Sequence, residues 1–407
     1  MERTTEWLRT AGGRGWLLIT IATFAVGFAL SAQQNIVSNF FEHVLGLSGP
    51  QFGYITAVRE IPGFLLIFIT AIFYRLPLPK ITAGALVLLA VGYSLFGTAT
   101  SFWGVAPWVV LSSMGYHTFF QTQSALALSL TDEKRAGSIL GHISAVNSLG
   151  GLAAMGVVLL GFETGWLGFG STFVLCGAFA AIAAIAIVTF PELRDGKQAA
   201  YVPRREPIVV RREYIYYYGL KMLDGGRQQI FFSFGLWVLV NHFKLDVPMI
   251  SAVLIATSLV NTLIGRRIGR LFDKHGEKPM LAIANVGYIV ALLGYGLIDN
   301  VYVAVVCYVI YTLIFPLSGI GAATYLRKVA VVDEIAPSLA LGLTLEHAAA
   351  IVVPLATGFV LNYVGYQFPF LVATVFALIT FFFTRRLDPQ TQKSPRRVAE
   401  EARLAAV

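Results

Sequence analysis

Gly269-Arg270-Leu271-Phe272-Asp273-Lys274-His275-Gly276-Glu277-Lys278 is a short polar island between two apolar runs, near 248–268 and 279–297. Its glycines permit a tight turn, because a left-handed φ costs glycine almost nothing. Asp273 is placed to bond the exposed N–H groups of a helix start, where the helix dipole favours an anion. Each flanking run has about 20 residues, enough to cross the ~30 Å hydrocarbon core as a helix. A basic break between two such runs reads as a turn held on the inner side of a membrane.

The same alternation extends in both directions. Apolar runs fall near 15–38, 51–73, 81–98, 104–129, 136–161 and 168–190, and again near 213–240, 248–268, 279–297, 300–326, 337–362 and 367–384. Only 13% of residues are charged and 57% are hydrophobic. Soluble domains carry about 25% charged residues, so that class is excluded. The expected fold is all-α and integral to a membrane, with twelve transmembrane helices in two six-helix bundles. The expected organisation is an N-terminal bundle at 1–190, a cytoplasmic linker at 191–212, a C-terminal bundle at 213–390 and a cytoplasmic tail at 391–407. The first run, preceded by Arg9 and Arg14 and ending in Ala29-Leu30-Ser31-Ala32, has features of a cleaved signal. It reads on through Gln33-Gln34-Asn35, and its loss would leave an odd span count, so it is read as the first span.

The cations test this map. Of the 30 Lys and Arg residues, all but Arg59, Lys221, Arg227 and Lys244 fall at the termini, in the linker or in the even-numbered connections. That is a positive-inside pattern with both termini cytoplasmic, in a plasma (inner) membrane. It accounts for the net charge of +8 without nucleic acid as a partner. The halves also repeat at a shift of roughly 195–201 residues: Gln33-Gln34 with Gln228-Gln229, Leu47-x-x-Pro50 with Leu245-x-x-Pro248, Asp132-Glu133 with Asp333-Glu334, and Gly141 with Gly342. Repeats with an even number of spans share one orientation, which implies a pseudo-twofold axis along the membrane normal.

With those features in hand, the opening stretch resembles the signature loop of the major facilitator superfamily, roughly G-x-L-x-D-[RK]-x-G-[RK]-[RK]. Gly269, Leu271, Asp273, Lys274, Gly276 and Lys278 match, whereas Phe272 and Glu277 depart from the pattern. The resemblance implies a gating role for Gly269, Asp273, Lys274 and Gly276. The first-half counterpart, Ile72 to Lys80, has neither the Asp nor the Gly, and the fifth span lacks the Gly-Pro signature of antiporters. The resemblance also implies that the third, sixth, ninth and twelfth spans face lipid, and these spans carry no charge.

A charge at mid-bilayer costs about 2.5–3.5 kcal/mol, so each one needs a reason. Arg59 and Glu60 lie in the second span, Lys221, Asp224 and Arg227 in the seventh, and Glu346 beside His347 in the eleventh. Asp224 lies three residues from both Lys221 and Arg227, so it can pair with either. Arg59 and Glu60 diverge by about 100°, so each is expected to find a partner on another helix. Glu346 with His347 is the expected proton site. Gln34, Gln228, His117, Gln121 and Tyr311 are further candidates for ligand contact, with interhelical packing as the plainer alternative. Cys176 and Cys307 have no metal-ligand or disulfide spacing.

These residues point to a secondary transporter that moves a small solute by alternating access, coupled to a proton or ion gradient. The three intramembrane cations favour an organic anion or zwitterion. No enzyme motif, cofactor site or metal site is read, and the expected working form is a monomer in the bilayer. The alternatives are a transport-dead sensor or scaffold and, with less support, a lipid-modifying membrane enzyme.

Overall fold

The computed structural model describes residues 10–65, 76–131, 135–191 and 209–405. Among them every regular element is helical. In the first half these are α1 (Ala11–His43), α2 (Gly49–Phe64), α3 (Leu78–Phe96), α4 (Phe102–Leu128), α5 (Ala136–Glu163) and α6 (Phe169–Val188). The second half holds α7 (Ile215–Asn241), α8 (Val247–His275), α9 (Glu277–Leu297), α10 (Val301–Val329), α11 (Val332–Val364) and α12 (Gln367–Arg385). A short helix, α13 (Pro395–Ala405), follows. Each of α1 to α12 overlaps one of the twelve apolar runs, α2 being described only as far as Phe64 of the run 51–73.

Local chemistry sets many of the ends. Thr10 Oγ1 accepts from Gly13 N at 3.1 Å and Ser101 Oγ from Gly104 N at 3.2 Å, capping α1 and α4. Asn300 Oδ1 accepts from Tyr302 N and Val303 N at the start of α10. Each cap satisfies donors that the first helical turn leaves open. Trp103, Trp166, Tyr302 and Tyr363 are exposed, all at the helix ends opposite the Lys/Arg-rich ends. Aromatic rings of this kind settle at a membrane–water boundary.

Two compact units emerge. The first also takes in Leu245–Ile255 from the start of α8, and the second takes in Ser48–Ala57 from the start of α2. Within the first unit, α1 packs on α5 and α6, and α3 on α4 and α6. Within the second, α7 packs on α11 and α12, and α9 on α10 and α12. Shifted by six helices, these are the same four pairings, so the internal repeat exists as packing as well as sequence. Within the charge-free stretches of α3, α6, α9 and α12 the large exposed residues include Val87, Ile185, Val290 and Phe382, apolar side chains suited to a lipid-facing surface.

The sequence led us to expect a loop over 269–278. Instead α8 runs on through His275, α9 begins at Glu277, and Gly276 alone joins them with φ of +78°. Lys274 and His275 in the last turn suit the negative end of the helix dipole, so the polar island extends the helix. The side chain of Asp273 and the surroundings of Gly269 lie outside the described residues, as do Asp132-Glu133, most of the linker and residues 66–75. Glu277, the departure from the family pattern, is buried and holds Lys328 Nζ at 2.6 Å, tying α9 to the end of α10.

The basic end of the second unit is closed by a carboxylate. Glu334, in the first turn of α11, accepts from Arg211, from Arg396 at 2.9 Å and from Tyr214 Oη at 2.7 Å. Ser394 N donates to Val329 O and Tyr325 Oη to Gln392, so the segment leading into α13 is docked on the bundle. The Arg211 hydrogen bond holds the Glu334 carboxyl below the usual carboxylate range.

Candidate functional site

The six intramembrane charges form three ion pairs, and exposure separates them. In the second unit, Lys221 Nζ lies 2.6 Å from Glu346 Oε1, with side chains 15% and 21% exposed. Arg227 Nη2 lies 2.7 Å from Asp224 Oδ1, with side chains 0% and 5% exposed. In the first unit, Arg59 Nη2 lies 3.0 Å from Glu60 Oε1, with Arg59 half exposed and Glu60 buried. Asp224 therefore chooses Arg227 over Lys221.

The Lys221–Glu346 pair follows from the faces of two helices. Tyr217, Lys221 and Gly225 are four apart on α7 and share a face, as do Gly342 and Glu346 on α11. Tyr217 Oη lies against Gly342, and a Cβ at Gly225 would sit 3.0 Å from Glu346 Cα. The two glycines let the backbones approach, and the ammonium then spans the remaining gap. Lys221 is six residues into α7, about 9 Å along its axis from the basic end. His347, the next residue on α11, is half-buried.

Arg227 has a different setting. Its guanidinium stacks 3.4 Å from the Tyr288 ring centroid and 5.6 Å from that of Tyr311. Nη2 also reaches Ser318 Oγ at 3.2 Å, and the Tyr288 hydroxyl donates to Ile314 O. Nε, Nη1 and the Tyr311 hydroxyl are buried with no partner among the described residues. Asp224, Arg227 and Tyr311 thus belong to the core between α7, α9 and α10.

Arg59 and Glu60 contradict the expectation that neighbours on a helix cannot meet. Arg59 Nε and Nη2 both donate to the same Glu60 oxygen. The long, flexible arginine side chain curls back over the ~100° between them, and its planar fork does the rest. The Arg59 carbonyl accepts from Ser113 Oγ of α4. His117, also on α4, packs over Gly63 one turn beyond Glu60, with Cε1 2.6 Å from where a Cβ would stand.

The other candidates are not gathered with these. Gln34 and Gln121 are exposed, and Gln228 is half-buried. Sequence reasoning missed Tyr288, Ser318, Tyr217 and Ser251. Ser251 exchanges hydrogen bonds with Asn35 at 2.8 and 3.1 Å, both side chains fully buried. Their only signal was a polar side chain recurring in an apolar run. Among the described residues, no three His, Cys, Asp or Glu gather to hold a metal.

The chain was compared with known proteins. A family model described as Major Facilitator Superfamily matches twice, over residues 19–222 and 218–406. A search of curated proteins returns no significant match. Among solved structures, the nucleoside transporter NupG superposes with a TM-score of 0.73 at 18% identity, covering 92% of this chain and 100% of that one. A bacterial homologue of the human lysosomal transporter Spinster, inward-facing and unoccupied, gives 0.71 at 14% identity, covering 93% and 97%. A POT family transporter in complex with a thioalcohol-conjugated peptide gives 0.67 at 16%, covering 91% and 96%. At these identities the shared property is the fold.

Proposed function

This chain belongs to the major facilitator superfamily, and on that premise we propose that it is a proton-coupled secondary transporter of a small organic anion or zwitterion. Membrane transport is the business of the family, and alternating access is its mode. The observation that carries the finer reading is the Lys221–Glu346 pair, mostly buried yet reachable within the spans. A carboxylate and an ammonium placed there cost desolvation that the fold could avoid with apolar residues. Retaining them makes sense where each exchanges its partner during a cycle. Arg59, half exposed on its own unit, is a second cation available to an anionic solute. The Asp224–Arg227 pair, with no access to solvent, supports the fold of the second unit. In this reading the basic helix ends face the cytoplasm, the chain resides in the plasma (inner) membrane as a functional monomer, and Gly276 with Lys274 forms part of a gating connection.

The test is solute flux in proteoliposomes under an imposed pH gradient. The wild type accumulates an organic anion or zwitterion when the gradient is inward. Glu346→Gln abolishes pH-driven accumulation while the solute still raises the melting temperature of the purified protein. A ligand at 100 times its Kd adds about 2.7 kcal/mol of stability, a shift easily read. Unchanged pH dependence in Glu346→Gln refutes the coupling role. Absence of flux for every solute class refutes transport.

A further inference from the structure

We propose that Lys221 is the anion receptor and Glu346 its built-in stand-in, so that the protein moves one proton with each negative charge and no net charge. The inference rests on the transporter reading above and adds to it a substrate charge, a stoichiometry and a voltage response.

The geometry supplies the exchange. Lys221 Nζ is bonded to Glu346 Oε1 at 2.6 Å, and both side chains retain some access to solvent. Among the described residues, Glu346 is the acid paired with Lys221. On α7, Asp224 is bonded to Arg227 and turned into the core, and Tyr217 lies over Gly342. On α11 the neighbouring titratable group is His347. Helix α12 presents Phe383 to Gly219 and Phe376 to Gly226. At the basic ends, Lys328 pairs with Glu277, and Arg211 and Arg396 with Glu334. Ser48–Ala57, whose Gly53 packs against Gly358 of α11, brings no charged side chain.

The charge balance follows. Empty, the site holds one ammonium and one carboxylate and is neutral. A proton binding Glu346 neutralises the carboxylate and breaks the ion pair. The freed ammonium takes a carboxylate, or another monoanion, in its place. The loaded site holds an ammonium, a carboxylic acid and an anion, and is neutral again. A proton alone leaves +1 and an anion alone leaves −1. Each half-loaded form carries an unpaired charge in a site of low dielectric, a penalty that suppresses it about a hundredfold on the scale of intramembrane charges. Only the two neutral forms reorient freely, so coupling arises from electrostatics alone, with no separate latch. The partner class is an organic monoanion, recognised by one ammonium in place of an internal carboxylate.

Proteoliposomes loaded with pyranine and clamped with potassium and valinomycin test this without any mutation. The probes are gluconate, glucuronate, lactate and hippurate, with a neutral sugar and an organic cation as controls. The expected result is a monoanion whose entry acidifies the lumen one proton per anion, with an accumulation ratio that does not change with membrane potential. A carrier moving one net charge would shift that ratio tenfold for each ~59 mV imposed, which would overturn the proposal. In Glu346→Gln, the empty site is +1 and the anion-loaded site neutral. Net proton-linked uptake is lost, while exchange of labelled for unlabelled anion persists. Loss of both modes in a folded Glu346→Gln, or their retention in Lys221→Gln, contradicts the roles assigned. Flux of the neutral sugar alone would preserve the transporter and refute the anion site. Absence of any flux would instead remove the transporter reading.

Discussion

Asp224→Asn isolates the one intramembrane charge pair that solvent does not reach. The wild-type carboxylate is the only anion on Arg227 among the described residues, 2.7 Å from Nη2, and the arginine side chain has no exposed area. The amide keeps the size of the side chain and removes its charge, leaving a guanidinium in a core that already offers Nε and Nη1 no partner. Removing one member of a buried pair costs about 3–5 kcal/mol. The Tyr288 ring, 3.4 Å away, recovers none of this, because its attraction of about 2 kcal/mol is present in both proteins. Melting-temperature scaling of roughly 2–4 °C per kcal/mol for 150–250 residues falls to about half that at this length. The expected drop is therefore roughly 3–10 °C, read by thermal melting of the purified protein in detergent. The double variant Asp224→Leu with Arg227→Met removes both charges together, and it melts above either single variant because no unpaired charge remains. If Asp224→Asn melts with the wild type, or if the singles and the double are additive, the pair is not a core support. It would then join Lys221 and Glu346 as a candidate for transport.

Three further outcomes follow from other contacts. Gly53→Val places a Cβ against the Pro354 carbonyl and within about 3 Å of Gly358, so the start of α2 must shift from α11 within the second unit at a cost of about 1–3 kcal/mol; the melting temperature falls, and wild-type melting refutes the close approach. Ser251→Ala leaves the buried Asn35 amide without its partner and costs about 1–3 kcal/mol, a loss that Asn35→Leu in the same chain reduces; equal melting of wild type and Ser251→Ala contradicts the exchange of hydrogen bonds. Glu334 is held below its unfolded carboxyl pKa of about 4.3, so its contribution is complete above that pH and fades as pH falls through the lower folded value. A spin label at Ala402 stays immobile from pH 8 to 5 and loosens only in more acid solution, whereas Glu334→Gln loosens it throughout; an immobile label in that variant would show that Glu334 does not hold α13.

The twelve helices were legible because a membrane demands one thing of each span, about 20 apolar residues with the backbone satisfied inside the helix. The inner and outer ends were legible because cations resist crossing. The repeat showed faintly as Gln33-Gln34 and Gln228-Gln229, and plainly as paired helices. Pairing of the charges was legible only in part. Spacing on α7 allowed Asp224 two partners and could not weigh Glu346 on a helix more than a hundred residues away. Arg59 escaped because helical geometry constrains Cβ directions, whereas a long side chain bends round to its neighbour. Tyr288 and Ser318 left no pattern, since a lone hydroxyl in an apolar run looks the same whether it supports an arginine or fills space. The extension of α8 through His275 was hidden by reading charge as a break, when a basic last turn is what a helix end prefers.

The docked segment beyond α12 bears on how the protein is handled. Leu387 is fully buried, and Arg396 supplies one of the cations on Glu334. A shortened version ending near residue 391 would take Arg396 from that carboxylate, leaving Arg211 as its cation among the described residues, and would remove the Gln392 partner of Tyr325. An affinity handle joined directly after α13 would pull on the same clamp. A handle set off by a flexible spacer, with the chain kept whole through Ala405, leaves it undisturbed. A preparation built the other way would be less stable for reasons unconnected with the transport pathway, and its failures would be misread as defects of the binding site.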